Sequence, residues 1–209
     1  MSGPGRQKST VAGVGTNRIW LATGLLVGCL AAAATAGARI AVRADPPRLS
    51  WSLFRRVDSI PASSEHARIA AEMSFPQPLK IERAPDGRYR LPPFTITVAP
   101  EPTRTMARRS VALPDALLRH EQGHYDIVLL AARALARELD TMTAPSAAEL
   151  IRSVEDCVAK HTARAERLSE TYDRQTDHSH DGTAQERWTA QIRAALAAGE
   201  AAQLEGRPL

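Results

Sequence analysis

Residues 114–139 read PDALLRHEQGHYDIVLLAARALAREL and carry the strongest helical pattern in the second half of the chain. From Ala116 to Leu139 it contains no proline and is rich in Leu, Ala and Arg, which predicts a long helix. Asp115 is placed to cap the start of that helix, and residues 143–145 (TAP) end it. A long helix that follows a half with strand signals predicts an α+β domain.

Within this helix, residues 120–124 (HEQGH) match the pattern H-E-x-x-H. His120 and His124 are one helical turn apart on one face, so both rings can reach one metal ion. Glu121 lies just beside that face, where its carboxylate can take a proton from a water molecule held by the ion. Gly123 costs the helix about 1 kcal/mol relative to Ala, which indicates a packing or site-access role. The pattern predicts a site for one zinc ion.

A catalytic zinc ion needs a third protein ligand and keeps its fourth position open. Residues 172–182 are polar and dense in Asp and His, and we expect them to form a loop that folds back onto the motif helix. We expect His178 to be the third ligand, with Asp177 or Asp173 orienting its ring. The alternatives are His180 in the same loop, Glu166 or Glu170 at the end of the preceding helix, and His161 in its middle.

Two segments resemble the signature of a known bacterial family, DUF922. They are residues 118–127 (LRHEQGHYDI) and residues 172–178 (YDRQTDH), and the similarity extends to Gln185 and Trp188 in the next helix. Residues 51–54 (WSLF) resemble the family more loosely, and the likeness covers most of residues 49–196.

Members of that family are exported and are described as candidate zinc-dependent proteases. The resemblance implies a zincin-like site with His178 as third ligand, and it brings no known substrate. The sequence departs from the family pattern at Ser179, where a glycine is expected, so the exact turn of the loop is open.

The remaining elements complete a domain expected over residues 49–204. Its β part, 49–112, has a hairpin around the turn 84–87 (APDG) and its clearest strand at 94–98 (FTITV). Its helical part, 113–204, continues with helices that begin at capping-box patterns. These two further helices are expected from Ser146 to about Thr171 and from Thr183 to about Leu204. Residues 39–48 contain two adjacent prolines and are expected to be a linker.

The first 38 residues predict export. They carry three cations and no anion, and residues 19–38 are uncharged and mainly apolar. Three interpretations remain open: cleavage after residues 36–38 (AGA), lipidation of Cys29 in a lipobox-like sequence, and retention as a membrane anchor. All three place the domain outside the cytoplasm, in the periplasm or cell envelope.

The charge and cysteine content narrow the function classes. The net charge of +4 lies mostly in the leader, since removing residues 1–38 leaves 24 basic and 23 acidic residues, so a nucleic-acid partner is not expected. Cys157 alone remains in the domain, which excludes a disulfide framework, and we expect it to be a small buried residue.

The sequence therefore predicts an exported zinc-dependent hydrolase, best interpreted as a metallopeptidase that acts on a peptide or protein. Tyr172, His180 and Arg119 are candidate donors to a developing oxyanion. The alternative is a non-catalytic metal-binding or structural envelope protein. Glu121 separates the two hypotheses, because a purely structural zinc site does not need a carboxylate there.

Overall fold

The computed structural model describes residues 40–61, 65–198, 203–204 and 207–208. In these residues small β-sheets are combined with three helices, which confirms the predicted α+β class. Within this part of the chain, no helix has both the length and the apolar character needed to cross a membrane. The predicted leader, including Cys29, lies outside the described residues.

The described strands are short, and most of them precede the helices. In chain order they are β1 (Ile40–Ala44), β2 (Arg55–Val57), β3 (Ala67–Arg68), β4 (Ala71–Ser74), β5 (Glu82–Arg83), β6 (Tyr89–Arg90), β7 (Phe94–Pro100), β8 (Met106–Arg108), β9 (Thr143–Ala144), β10 (Gln203–Leu204) and β11 (Arg207–Pro208). They pair as β1-β7-β4, β2-β8-β3, β5-β6-β9 and β10-β11. The helices are α1 (Asp115–Thr141), α2 (Ala147–Thr176) and α3 (Gly182–Ala198), and a 3-10 turn covers Trp51–Leu53.

Strand β1 occupies residues that the sequence analysis assigned to the linker 39–48. Residues 40–44 run parallel to β7, with Ile40 opposite Phe94 and Ala44 opposite Val98. Ile40 is buried and the following residues alternate between exposed and half-buried, as in a strand with one face on a core. The two prolines after Asp45 end this strand. Their presence favoured the interpretation as a linker over the strand signal of the five residues before them.

Tyr125 of α1 fixes the end of β1. Its hydroxyl oxygen lies 2.6 Å from the carbonyl oxygen of Val98 and 3.0 Å from that of Pro46. The same oxygen accepts from the backbone N–H of Asp45 at 3.0 Å. Tyr125, the residue directly after HEQGH, therefore links α1 to β7 and to the residues that follow β1. These two parallel strands belong to the sheet β1-β7-β4, called the main sheet below.

The predicted hairpin and the predicted strand at residues 94–98 are confirmed. Strands β5 and β6 are antiparallel, and Gly87 in their turn has a φ of 82°, which glycine adopts without strain. The predicted strand 94–98 lies within β7, the middle strand of the main sheet, where Ile96 and Val98 are fully buried.

The helix boundaries follow local capping. The Ser146 side chain accepts from the backbone N–H of Glu149, as its capping pattern predicts. Asp115 is a first-turn residue rather than the cap, since the capping position is Pro114. Helix α3 begins at Gly182 and not at the predicted cap Thr183, since the carboxylate of Asp181 accepts from the backbone N–H of Ala184 and caps the helix. The helix is described to Ala198, and Leu204, where the prediction placed its end, lies in β10.

Helix α2 is longer than predicted, and this changes the site. It continues to Thr176 instead of ending near Thr171, so Tyr172 and Asp173 are helical. The expected loop shrinks to the turn between Thr176 and Gly182, where Asp177, in the left-handed conformation, ends α2. Helix α1 contacts strands β1, β4 and β7 of the main sheet as well as α2 and α3, which places its HEQGH segment inside the domain.

Candidate metal centre

Three potential ligand atoms converge where α1 meets the end of α2. The Nε2 atoms of His120 and His124 are 3.2 Å apart. Asp173 Oδ1 lies 3.1 Å from the first and 2.8 Å from the second. Ligands at zinc bond lengths of about 2.0–2.1 Å lie roughly 3.3 Å apart in a tetrahedral site, so this triangle is close to one face of such a site.

Gln185 of α3 holds the His120 ring from its other side. His120 Nδ1 lies 3.1 Å from Gln185 Oε1, and the amide nitrogen of Gln185 donates to the Tyr172 hydroxyl. An amide oxygen only accepts hydrogen bonds, so Nδ1 carries the proton and a neutral ring has its lone pair on Nε2. That lone pair faces Asp173 Oδ1, an arrangement that requires either a further proton or a cation between the two atoms.

Tyr172 packs directly behind the histidines. Its ring stacks on His120 with the ring centroids 4.7 Å apart, and its hydroxyl donates to the His120 carbonyl oxygen at 3.2 Å. Burial raises the pKa of this hydroxyl, so it remains protonated. Tyr172, proposed from the sequence as an oxyanion donor, therefore has its hydroxyl engaged in the interior beside His120.

The lack of a side chain at Gly123 leaves the space that the Tyr172 ring occupies. A Cβ atom on Gly123 would lie 2.6 Å from Tyr172 Cζ and would also collide with the hydroxyl oxygen. Both residues are buried, so the ring cannot move aside freely. This is the packing role that the mid-helix glycine indicated.

Glu121 is buried beside the cluster. Its Oε2 accepts from the backbone N–H of Ile69 at 2.8 Å, in the segment between β3 and β4. Burial raises the pKa of the Glu121 carboxyl to about 7, against the opposing effects of the His120 charge and the Ile69 N–H. Near neutral pH this carboxyl can therefore exist in either protonation state.

Asp173 is ionised in this setting. Its partial burial on its own would raise its pKa, but the charges and hydrogen bonds of His124 and His120 outweigh that effect and bring the pKa well below the usual range. An anionic oxygen between two imidazole nitrogens is a ligand set that suits zinc.

The predicted loop residues lie farther out. His178 Nδ1 is 3.8 Å from Asp173 Oδ1 and its side chain is 53% exposed. Asp177 and His180 are exposed, with His180 Nδ1 2.6 Å from the Asp177 carbonyl oxygen. Ser179 has a φ of 77°, a conformation that favours the glycine expected there. His178 as third ligand thus stays a prediction, because the group that the structure brings together consists of His120, His124 and Asp173.

The other sequence candidates do not belong to this triangle. Arg119 and Glu170 are exposed, Glu166 is half-buried, and His161 lies in a different cluster with Glu138 and Cys157.

Asp173 was considered in the sequence only as an orienting residue. The signal that could have found it is that a helix capped by Ser146 and continued to Thr176 places Asp173 in its last turn, next to the buried Tyr172 and Thr176. Gln185 entered only through the family resemblance.

The described residues thus form an α+β domain with a His-His-Asp cluster and an adjacent buried glutamate. The chain matches the family described as bacterial protein of unknown function (DUF922) over residues 67–181, more than half of its 209 residues. It belongs to that family, as the resemblance indicated. No curated protein and no solved structure matches the chain.

Proposed function

We propose that this protein is a zinc-dependent hydrolase of the zincin-like type, and that it acts as a peptidase. The observation that carries the proposal is the triangle of two imidazole nitrogens and one carboxylate oxygen, with edges of 2.8–3.2 Å, next to the carboxyl of Glu121. The donor set and its spacing fit zinc.

His120, His124 and Asp173 would hold the ion, and Gln185 would fix the tautomer of His120. Bound zinc supplies a Lewis acid that polarises a carbonyl group and acidifies water. His178 is the alternative third ligand, and its Nδ1 lies 3.8 Å from Asp173 Oδ1.

Glu121 would serve as the general base. Because Ile69 occupies Oε2, the other carboxylate oxygen can take the proton of the attacking water. A pKa of about 7 then suits both steps of the reaction, acceptance of the proton and its return to the leaving amine.

The apolar leader supports a location outside the cytoplasm, and residues 19–38 or a lipidated Cys29 would attach the protein to the envelope membrane. Within the same reaction class the proposed substrates are proteins and cell-wall peptides.

The experiment that tests this function measures zinc content and peptide hydrolysis of the full chain with a mixed library of quenched fluorescent peptides. We expect hydrolysis that a chelator abolishes and zinc restores. Glu121→Gln should keep its zinc and lose about 10²–10⁴-fold in rate. Hydrolysis that is unaffected by either Glu121→Gln or the chelator would contradict the proposal.

A second candidate function is metal binding without catalysis. The observation that favours it is the burial of Glu121, which is 3% exposed and hydrogen-bonded to backbone, as a structural residue would be. In that case Glu121→Gln would lower the stability of the fold, and the wild-type chain would bind zinc without hydrolysing any peptide of the library.

A further inference from the structure

A second polar cluster lies between the same two helices, away from the HEQGH segment. It consists of Glu138 of α1 with Cys157 and His161 of α2, whose ligand atoms all lie within 4.8 Å of one another. Cys157 and His161 are both 3% exposed. A thiol, an imidazole and a carboxylate that meet in the interior are three of the ligand types that zinc uses.

The cluster repeats the construction of the first centre with the helices exchanged. There, two residues four apart on α1 face a carboxylate of α2, and here Cys157 and His161, four apart on α2, face Glu138 of α1. Residues four apart lie on one helical face one turn apart, so both side chains can reach the same ion.

The hydrogen bonds of the cluster meet at one carboxylate oxygen. Glu138 Oε2 lies 2.9 Å from His161 Nε2 and 2.7 Å from Lys160 Nζ. His161 Nδ1 is buried without a hydrogen-bond partner among the described residues, so the imidazole is not fully satisfied by this arrangement.

We propose that Glu138, Cys157 and His161 form a second zinc site, separate from the centre proposed for hydrolysis. Binding releases the Cys157 thiol proton to solvent, and Zn²⁺ then forms bonds to the thiolate sulfur, one imidazole nitrogen and one carboxylate oxygen. Tetrahedral ligands lie roughly 3.5 Å apart, so side-chain adjustments of about 1 Å close the site.

Lys160 is the group that zinc displaces. Its ammonium nitrogen lies 2.7 Å from Glu138 Oε2, and its side chain is 59% exposed, so it can turn to solvent. The thiolate and the carboxylate balance the two charges of the ion, and the position vacated by Lys160 remains for water. The site clamps α1 to α2.

The test uses the full chain carrying Cys29→Ser, so that Cys157 is the remaining thiol. We expect two zinc ions per chain, and with Co²⁺ a near-ultraviolet thiolate-to-cobalt charge-transfer band. Adding Cys157→Ser should remove the band and lower the zinc content to one. His120→Ala should also lower it to one but leave the band, which separates this site from the first.

Lys160→Ala keeps the test decisive if the buried variants fail to fold. Because it removes a competing cation from an exposed position, it should tighten cobalt binding, read from the same band, several-fold. The absence of any thiolate band in the Cys29→Ser chain, or a band of unchanged affinity in Lys160→Ala, would overturn the proposal.

Discussion

The two clusters between α1 and α2 use the same geometry but have different surroundings. Each has a pair of residues four apart on one helix and a carboxylate on the other. The first is backed by Gln185 and has Glu121 beside it. The second has the ammonium of Lys160 on its carboxylate. If both clusters bind zinc as proposed, the same helix geometry would serve two purposes, and the neighbouring groups would decide which cluster suits catalysis and which suits stability.

The largest expected difference between the clusters is in hydrolysis. His124→Ala should lower the rate by about a thousandfold or more, because it removes a ligand of an ion that contributes several kcal/mol to transition-state stabilisation. Cys157→Ser is the matched control and should retain most of the wild-type rate. The measurement is kcat/KM for the best peptide, and equal losses in the two variants would erase the distinction.

Gln185 should affect only the first cluster. Gln185→Ala removes the acceptor at His120 Nδ1, and loss of such a supporting hydrogen bond weakens zinc binding by about 10–100-fold. Competition with a chromophoric chelator measures the affinity of each site. Gln191→Ala, on the same helix, is the control and should leave both affinities unchanged. An unaltered affinity in Gln185→Ala would mean that His120 needs no support.

Gly123 tests how tightly the first cluster is packed. Gly123→Ala should destabilise the fold by about 1–3 kcal/mol, because its Cβ would overlap the buried Tyr172 ring. This outcome opposes the helix propensity of alanine, which alone would stabilise by about 1 kcal/mol. Urea unfolding gives the free energy. A more stable Gly123→Ala variant would show that the ring can move.

The smallest effect is expected at Glu138 in the metal-free protein. Hydrogen bonds from Lys160 and His161 lower the pKa of Glu138 to about 2. The contribution of Glu138 to the free energy of unfolding is therefore complete above its ordinary pKa of 4.5 and is lost as the pH falls towards 2. The ion pair of Glu138 and Lys160 is well exposed, so Glu138→Gln should lower the free energy of unfolding by less than about 1 kcal/mol at pH 7. Urea unfolding in chelator, at pH 7 and at pH 3, measures this, and a cost that grows on acidification would contradict the sign.

Much of the fold could be read from local signals. The Ser146 cap, the turn at Gly87 and the alternating strand 94–98 depend on neighbours in sequence, and the structure has all three. Strand β1 could not, because its partner β7 is some fifty residues away and its own signal is five residues long.

The residues of the candidate site also divide into those that a local sequence pattern predicts and those that it does not. His120, Glu121 and His124 follow from the spacing of a single helix. The position of Asp173 depends on where α2 ends. The helix continues five residues beyond the expected end near Thr171, so Asp173 is helical and faces the histidines instead of lying in a loop. Helix ends are set by capping and tertiary contacts, which a periodic pattern does not contain.

We propose that His120, His124 and Asp173 hold one zinc ion. The most direct measurement is the zinc content of the full chain carrying Cys29→Ser and Cys157→Ser, with and without Asp173→Ala, and with His178→Ala in parallel. We predict one zinc ion per chain in the parent and in His178→Ala, and none in Asp173→Ala. A parent chain that binds no zinc, or one that loses its zinc with His178→Ala and keeps it with Asp173→Ala, would contradict the account.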